Sequence, residues 1–166
     1  MKKNKIISIA KEVVNLEIKA LKDLKKYINN SFTDAVLQIA KCQSKVILCG
    51  VGKSGIIASK IAATLSSVGT PSFFLSAGDS SHGDLGSISK KDILILISYS
   101  GETSELKNII RYANRNKILL IGIVSKKDSI LYKASDIKLL VPQVKEAKDI
   151  VPTSSTTSQL AIGDSL

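Results

Sequence analysis

The sequence predicts a doubly wound α/β domain: a parallel five-stranded sheet with helices on both faces and a helical extension at the N-terminus. Three observations carry this. From residue 46 onward, short β-branched runs bounded by Gly, Ser and Asp alternate with helical segments, the signature of strand-helix-strand units. One run, Ile93-Leu94-Ile95-Leu96-Ile97, is continuously apolar, as in strands buried on both faces of a parallel sheet. The chain has 166 residues, 44% of them hydrophobic, enough for a core that needs no disulfide staples. Residues 1–166 are therefore read as one domain, with N-terminal helices in 1–43 and the sheet core in 44–166.

Each element has its own pattern. Ile6, Ile9, Ala10, Val13, Val14, Leu16, Ala20, Leu21 and Leu24 recur every three to four residues, which predicts a helix over about residues 3–28. Ser31 or Thr33 is placed to cap a second helix, with Phe32, Val36, Leu37, Ile39 and Ala40 as its stripe. Strands are expected at 46–49, 72–75, 93–98, 118–124 and 137–141, and helices at 56–68 and 105–113. Pro142 and Pro152 bracket a polar loop, and Pro152-Thr153-Ser154-Ser155-Thr156-Thr157 opens a last helix. No C-cap signal precedes Leu166, so that helix is expected to be cut short, with Leu160 and Ile162 poorly covered.

Composition narrows the function classes. The net charge is +10, which invites a nucleic-acid reading, yet all 24 basic residues except Arg111 and Arg115 are lysine. Direct base readout leans on arginine, and aromatics at 4% with no Trp leave few platforms for stacking bases. No nucleic-acid partner is expected. No stretch approaches the roughly 20 apolar residues of a membrane span, and Lys11 and Glu12 interrupt the apolar run near the N-terminus before a signal-peptide core is complete. Cys42 and Cys49 lack metal-ligand or disulfide-framework spacing, which suits a reducing, cytoplasmic setting.

In an open parallel sheet, ligands sit beyond the carboxyl ends of the strands, and three loops there are suited to phosphate. Gly50-Val51-Gly52-Lys53-Ser54-Gly55 follows a strand and opens a helix. Its glycines let N–H groups approach an anion, the helix terminus adds partial positive charge, and Lys53 adds a full one, so Gly52, Lys53 and Ser54 are candidates. Ser98-Tyr99-Ser100-Gly101-Glu102-Thr103-Ser104-Glu105 offers the hydroxyls of Ser98, Ser100 and Thr103 as donors to phosphoryl oxygens. The third is the cluster at 153–157, with Thr153, Ser154 and Ser155. The first loop matches the dinucleotide fingerprint, but the acidic residue required about 20 positions later is missing, since Leu75 and Ser76 stand there. Walker A fails because Ile47 occupies the first glycine position. Two further hydroxyl-rich loops favour a compact phosphoester over an extended dinucleotide.

Cys-Gly-Val-Gly-Lys-Ser-Gly, His82-Gly83-Asp84-Leu85-Gly86, Ser-Tyr-Ser-Gly-Glu-Thr-Ser-Glu, Lys145-Glu146-Ala147 and Pro-Thr-Ser-Ser-Thr-Thr occur here in order. Together they resemble the sugar isomerase (SIS) domain of D-arabinose 5-phosphate isomerases, over essentially the whole chain. The resemblance implies a flavodoxin- or Rossmann-like SIS fold and interconversion of D-ribulose 5-phosphate with D-arabinose 5-phosphate, toward Kdo for lipopolysaccharide or capsule. It gives Lys53, His82, Glu105 and Glu146 the status of active-site residues. It also implies a homodimer or homotetramer, with a site built between subunits. Two departures stand out: Ser76-Ala77-Gly78-Asp79 replaces the family's His-Pro-Gly-Glu, and Tyr99 replaces a polar amide. The family continues through a His-Pro-Gly-Gly segment and usually a CBS pair, so this span is expected to bind sugar phosphate better than it turns it over.

The chemistry suits these residues. Aldose-ketose isomerisation through an enediolate needs a carboxylate base with a pKa raised toward working pH and a cation or donor for the developing oxyanion. Glu105 or Glu146 is the candidate base, Lys53 the charge stabiliser, and His82 a helper in ring opening or orientation. Neither a metal nor a cofactor is expected. The alternative is a non-catalytic phosphosugar sensor, which needs the hydroxyls but not the base.

Overall fold

The computed structural model describes residues 3–80 and 83–166. Five parallel strands, β1 (Val46–Gly50), β2 (Ser72–Ser76), β3 (Ile93–Ile97), β4 (Leu119–Val124) and β5 (Ile137–Leu140), form one sheet in the order β2-β1-β3-β4-β5. The order reverses between β1 and β3, which makes their carboxyl ends the topological switch point of a flavodoxin-like sheet. Gly50 pairs with Ile97, so the loops that follow these two strands start side by side.

The apolar runs are buried on both faces, as their sequence predicts. Val46, Leu48, Ile93, Ile95 and Ile97 meet one core with Ala58, Ile61 and Leu65 of α3 (Lys53–Ser67), Ile39 of α2 (Asn30–Lys41) and Ile162 of α7 (Ser154–Asp164). Ile47, Cys49, Leu94 and Leu96 meet the other, with Leu106, Ile109, Ile110 and Ala113 of α5 (Leu106–Asn116) and Leu131 of α6 (Ile130–Ala134). Burial pushes the Cys49 thiol up to about 12, which makes it an inert core residue. At the opposite end of the sheet, the fully buried Asp92 carboxylate accepts from Ser44 Oγ (2.5 Å), Ser89 N (2.6 Å) and Lys45 Nζ (3.0 Å), tying the start of β1 to the start of β3.

Several sequence expectations are corrected. The first helix, α1, spans Lys3–Leu24 and ends in a 3₁₀ turn, Lys25–Tyr27. It lies on α7, yet only Ala20 and Leu24 of its stripe are buried. The second helix is capped by Asn29, whose side chain accepts from Ser31 N at 2.9 Å, so Ser31 and Thr33 lie within it. Short elements escape a periodicity reading: α4 (Ala77–Ser80), a 3₁₀ turn at Asp84–Ser87, and α6. Helices of four or five residues are too short to show a 3.6-residue repeat. Ile162 is 1% exposed and Leu160 is half-buried on the same core, so the last helix is better covered than expected, because α3 packs along it. No described helix is long and apolar enough to cross a membrane.

Candidate functional site

The first loop owes its glycines to backbone proximity. A Cβ on Gly55 would stand 2.8 Å from the Gly50 carbonyl oxygen, and one on Gly50 would stand 2.8 Å from that of Ser54. Strand β1 and the first turn of α3 therefore touch backbone to backbone. Gly52, the N-cap of α3, has φ +58°, a conformation that favours glycine. Lys53 follows as the first helical residue and is exposed. Among the described residues no acid lies within ion-pair distance of it.

A cavity of about 780 Å³ opens along this turn, lined among others by Gly50, Gly52, Gly55, Phe74, Ser76, Ala77 and Glu105. The structure thus brings the glycine loop of β1 and Glu105 of the β3 loop to one cleft. Glu105 is exposed, and the Ser104 hydroxyl, donating to its Oε2 at 2.7 Å, holds the carboxyl below the ordinary glutamate range, with its own backbone N–H assisting. This corrects the expectation of a raised pKa: the solvated carboxylate with such a donor is ionised at neutral pH and is a weaker proton acceptor than an ordinary glutamate.

The β3 loop is internally ordered. Ser98 Oγ and Thr103 Oγ1 share a 2.7 Å hydrogen bond, Ser98 Oγ accepts from Gly101 N at 3.0 Å, and Ser100 Oγ accepts from Glu102 N at 3.2 Å. Ser98 is 3% exposed, whereas Ser100 and Thr103 are half-exposed. Ser98 therefore shapes the loop, and Ser100 and Thr103 are its reachable hydroxyls. Glu102 accepts from Ile130 N at 2.9 Å, which makes it a partner of the first turn of α6.

The third loop is organised differently from the first two. Glu146 lies over the N-terminus of α7, where its carboxylate accepts from Thr153 N (2.8 Å), Thr153 Oγ1 (3.3 Å) and Ser155 N (3.2 Å). Thr153 Oγ1 in turn accepts from Ala147 N at 3.2 Å. Ser154 and Ser155 are buried. Ser54 of the first loop donates to Gln159 Oε1 of α7 at 3.1 Å, so its hydroxyl points across to that helix. Gln159 is not among the residues that sequence reasoning singles out; an amide inside a run of small and apolar residues is the one signal it offers. His82 lies outside the described residues. Among those described, no group of three or more His, Cys, Asp or Glu is placed to hold a metal ion.

The chain is 46% identical over 158 residues to the arabinose 5-phosphate isomerase KdsD of Yersinia pestis, covering 94% of this chain and 48% of that protein. The KdsD of Escherichia coli K12 is 44% identical over the same share of each chain. The chain thus spans about half the length of the curated relatives it matches. Among solved structures, E. coli CFT073 c3406 in complex with arabinose 5-phosphate superposes with a TM-score of 0.94 at 36% identity, over 99% of this chain and 89% of that one. The family model for the SIS domain matches residues 38–166, the span holding the sheet and all three loops, and the chain belongs to the SIS domain family.

Proposed function

We propose that this chain is the isomerase domain of an arabinose 5-phosphate isomerase, interconverting D-arabinose 5-phosphate and D-ribulose 5-phosphate on the way to Kdo. The observation that supports it most is the meeting of the glycine loop and Glu105 at one cleft on the switch point. The KdsD relatives and the structural neighbour with arabinose 5-phosphate bound support the choice of sugar.

In this reading Ser100 and Thr103 hold the phosphate from the N-terminal side of α5. Glu105 takes the proton from C2 of the open-chain aldose, and the electron pair moves onto the carbonyl oxygen at C1 to give an enediolate. The exposed Lys53 ammonium stabilises that oxyanion. Return of the proton to C1 and transfer of the C2 hydroxyl proton to the C1 oxygen complete the ketose. Glu146 holds the N-terminus of α7 and faces the sugar from the far side, and His82 assists ring opening.

The test is a coupled assay for ribulose 5-phosphate formed from arabinose 5-phosphate, run on the longest native form of the protein. Turnover is expected. Glu105→Gln should lower kcat by about 10² or more, while Ser100→Ala should weaken binding by about 1–3 kcal/mol with kcat less affected. Binding without turnover in the unmodified protein would assign the domain to phosphosugar sensing.

A further inference from the structure

We propose that Tyr99 is a positioning residue whose side chain ties the phosphate loop to the segment carrying Glu146, and so sets the distance between the two. Its consequence for turnover rests on the isomerase reading; the tether itself rests on geometry.

Tyr99 stands between Ser98 and Ser100, so its backbone belongs to the loop that would hold phosphate. Its carbonyl accepts from both the N–H (3.0 Å) and the hydroxyl (2.7 Å) of Ser125, which pins that loop to the end of β4. The ring is half-buried against the core on the α3 and α7 face. Its hydroxyl accepts from Val144 N at 2.8 Å and donates to the Pro142 carbonyl at 3.4 Å. Val144 is two residues before Glu146. Burial raises the phenol above its ordinary range, the Val144 N–H draws it back, and the charge of Glu146 raises it again.

On the leading side of this segment Val141 and Pro142 are buried. The last sheet-type bond before it is Val141 N to Val124 O at 2.9 Å. Beyond Glu146 the chain turns through Lys148 and Asp149, both with φ 54°, and Ile150 is 80% exposed, so the tip is closed by backbone bonds such as Asp149 N to Glu146 O at 3.1 Å and not by side-chain packing. Its surface pair, Lys148 with Glu12 at 3.7 Å, joins two exposed side chains and contributes little. The position of Glu146 is therefore fixed behind by its hold on α7, by the Ala147 N–H on Thr153 Oγ1 and by the Ala147–Val151 bridge, and ahead by the Tyr99 hydroxyl. Because Tyr99 is flanked by the phosphate-loop serines, the phosphate and the Glu146 carboxylate that the isomerase reading sets by the sugar are located from one residue. A misplacement of about 1 Å at a reacting centre can lower a rate about 10²-fold.

The test is Tyr99→Phe in the full-length protein, which keeps the ring and removes only the hydroxyl. Expected are a fall in kcat of about 10- to 100-fold, a dissociation constant for inorganic phosphate within about twofold of the original, since a shift that small is under 0.5 kcal/mol, and faster amide exchange at residues 143–147 with β3 and β4 unchanged. In a Glu146→Gln background, Tyr99→Phe should cost nothing more, because a residue that acts through another is non-additive with it. Additive losses, or equal loss of phosphate affinity and kcat, would overturn the proposal. If the unmodified protein shows no turnover, the isomerase reading fails and amide exchange decides the tether alone: faster exchange at 143–147 upholds it, and unchanged exchange refutes it.

Discussion

The Glu146 carboxylate meets the backbone N–H of Thr153 at 2.8 Å, with the Ser155 N–H on its other oxygen. Seven residues apart in sequence, the two close a loop and satisfy donors that the first turn of α7 would otherwise leave open. Thr153, the N-cap residue, makes no capping bond with its own side chain, so Glu146 takes over that role. Glu146→Ala should then lower stability by about 0.5–2 kcal/mol, the range for loss of a helix cap, measured by urea unfolding. A variant as stable as the original would show that these hydrogen bonds are energetically idle.

Glu105 leads to a pH prediction. The Ser104 hydroxyl favours the ionised carboxyl, so the pKa in the folded protein lies below the ordinary glutamate value. If Glu105 is the base, the acid limb of kcat/KM should lie below the ordinary glutamate value, since that profile reports the free enzyme. Ser104→Ala should move the acid limb to higher pH and leave the alkaline limb in place. An acid limb that does not respond would assign it to another group.

Asp92 governs the other end of the sheet. Burial alone would raise its carboxyl, but bonds from Ser44, the Ser89 N–H and Lys45 outweigh it and the net shift is downward. A depressed folded pKa contributes stability above the unfolded value of about 3.9, and that contribution fades as pH falls through the folded value. Asp92→Asn should lose about 1–3 kcal/mol at neutral pH and show a flatter stability curve below about pH 4. Chemical denaturation at several pH values checks both, and parallel curves for the two proteins would contradict the assignment.

Gly55→Ala tests the contact between strand and helix. The added methyl would meet the Gly50 carbonyl at 2.8 Å, a backbone atom that cannot rotate away, so the end of β1 and the start of α3 must part. Overpacking of this kind destabilises by about 1–3 kcal/mol. Because Lys53 rides on the same turn, thermal stability and substrate KM should worsen together.

Association is the remaining expectation. Ile6, Ile7, Val14 and Ile18 of α1 are each more than 40% exposed, a stripe that a single copy leaves in water, so at least a dimer is expected by sedimentation velocity at micromolar concentration. Ile7→Lys with Val14→Lys should shift the protein toward monomer. A compact monomer before any substitution would show that the stripe is not an interface.

The layered architecture is legible in the residues alone. Five parallel strands can be read because β1 and β3 are apolar without interruption, and α3 and α5 because their lengths allow a helical repeat to show. The strand-end loops can be read because glycines and hydroxyls gather there for reasons of backbone geometry. Which of those groups share a cleft is settled by the folded chain and by nothing simpler. Glu105 lines the same cavity as Gly52, while Glu146, equally acidic and also in a strand-end loop, is engaged by α7. Local sequence carries no information on such pairings, because Ser54 with Gln159, Tyr99 with Val144 and Glu102 with Ile130 lie 105, 45 and 28 residues apart. Their partners are set by how the helices pack on the sheet, and that packing is a property of the whole chain.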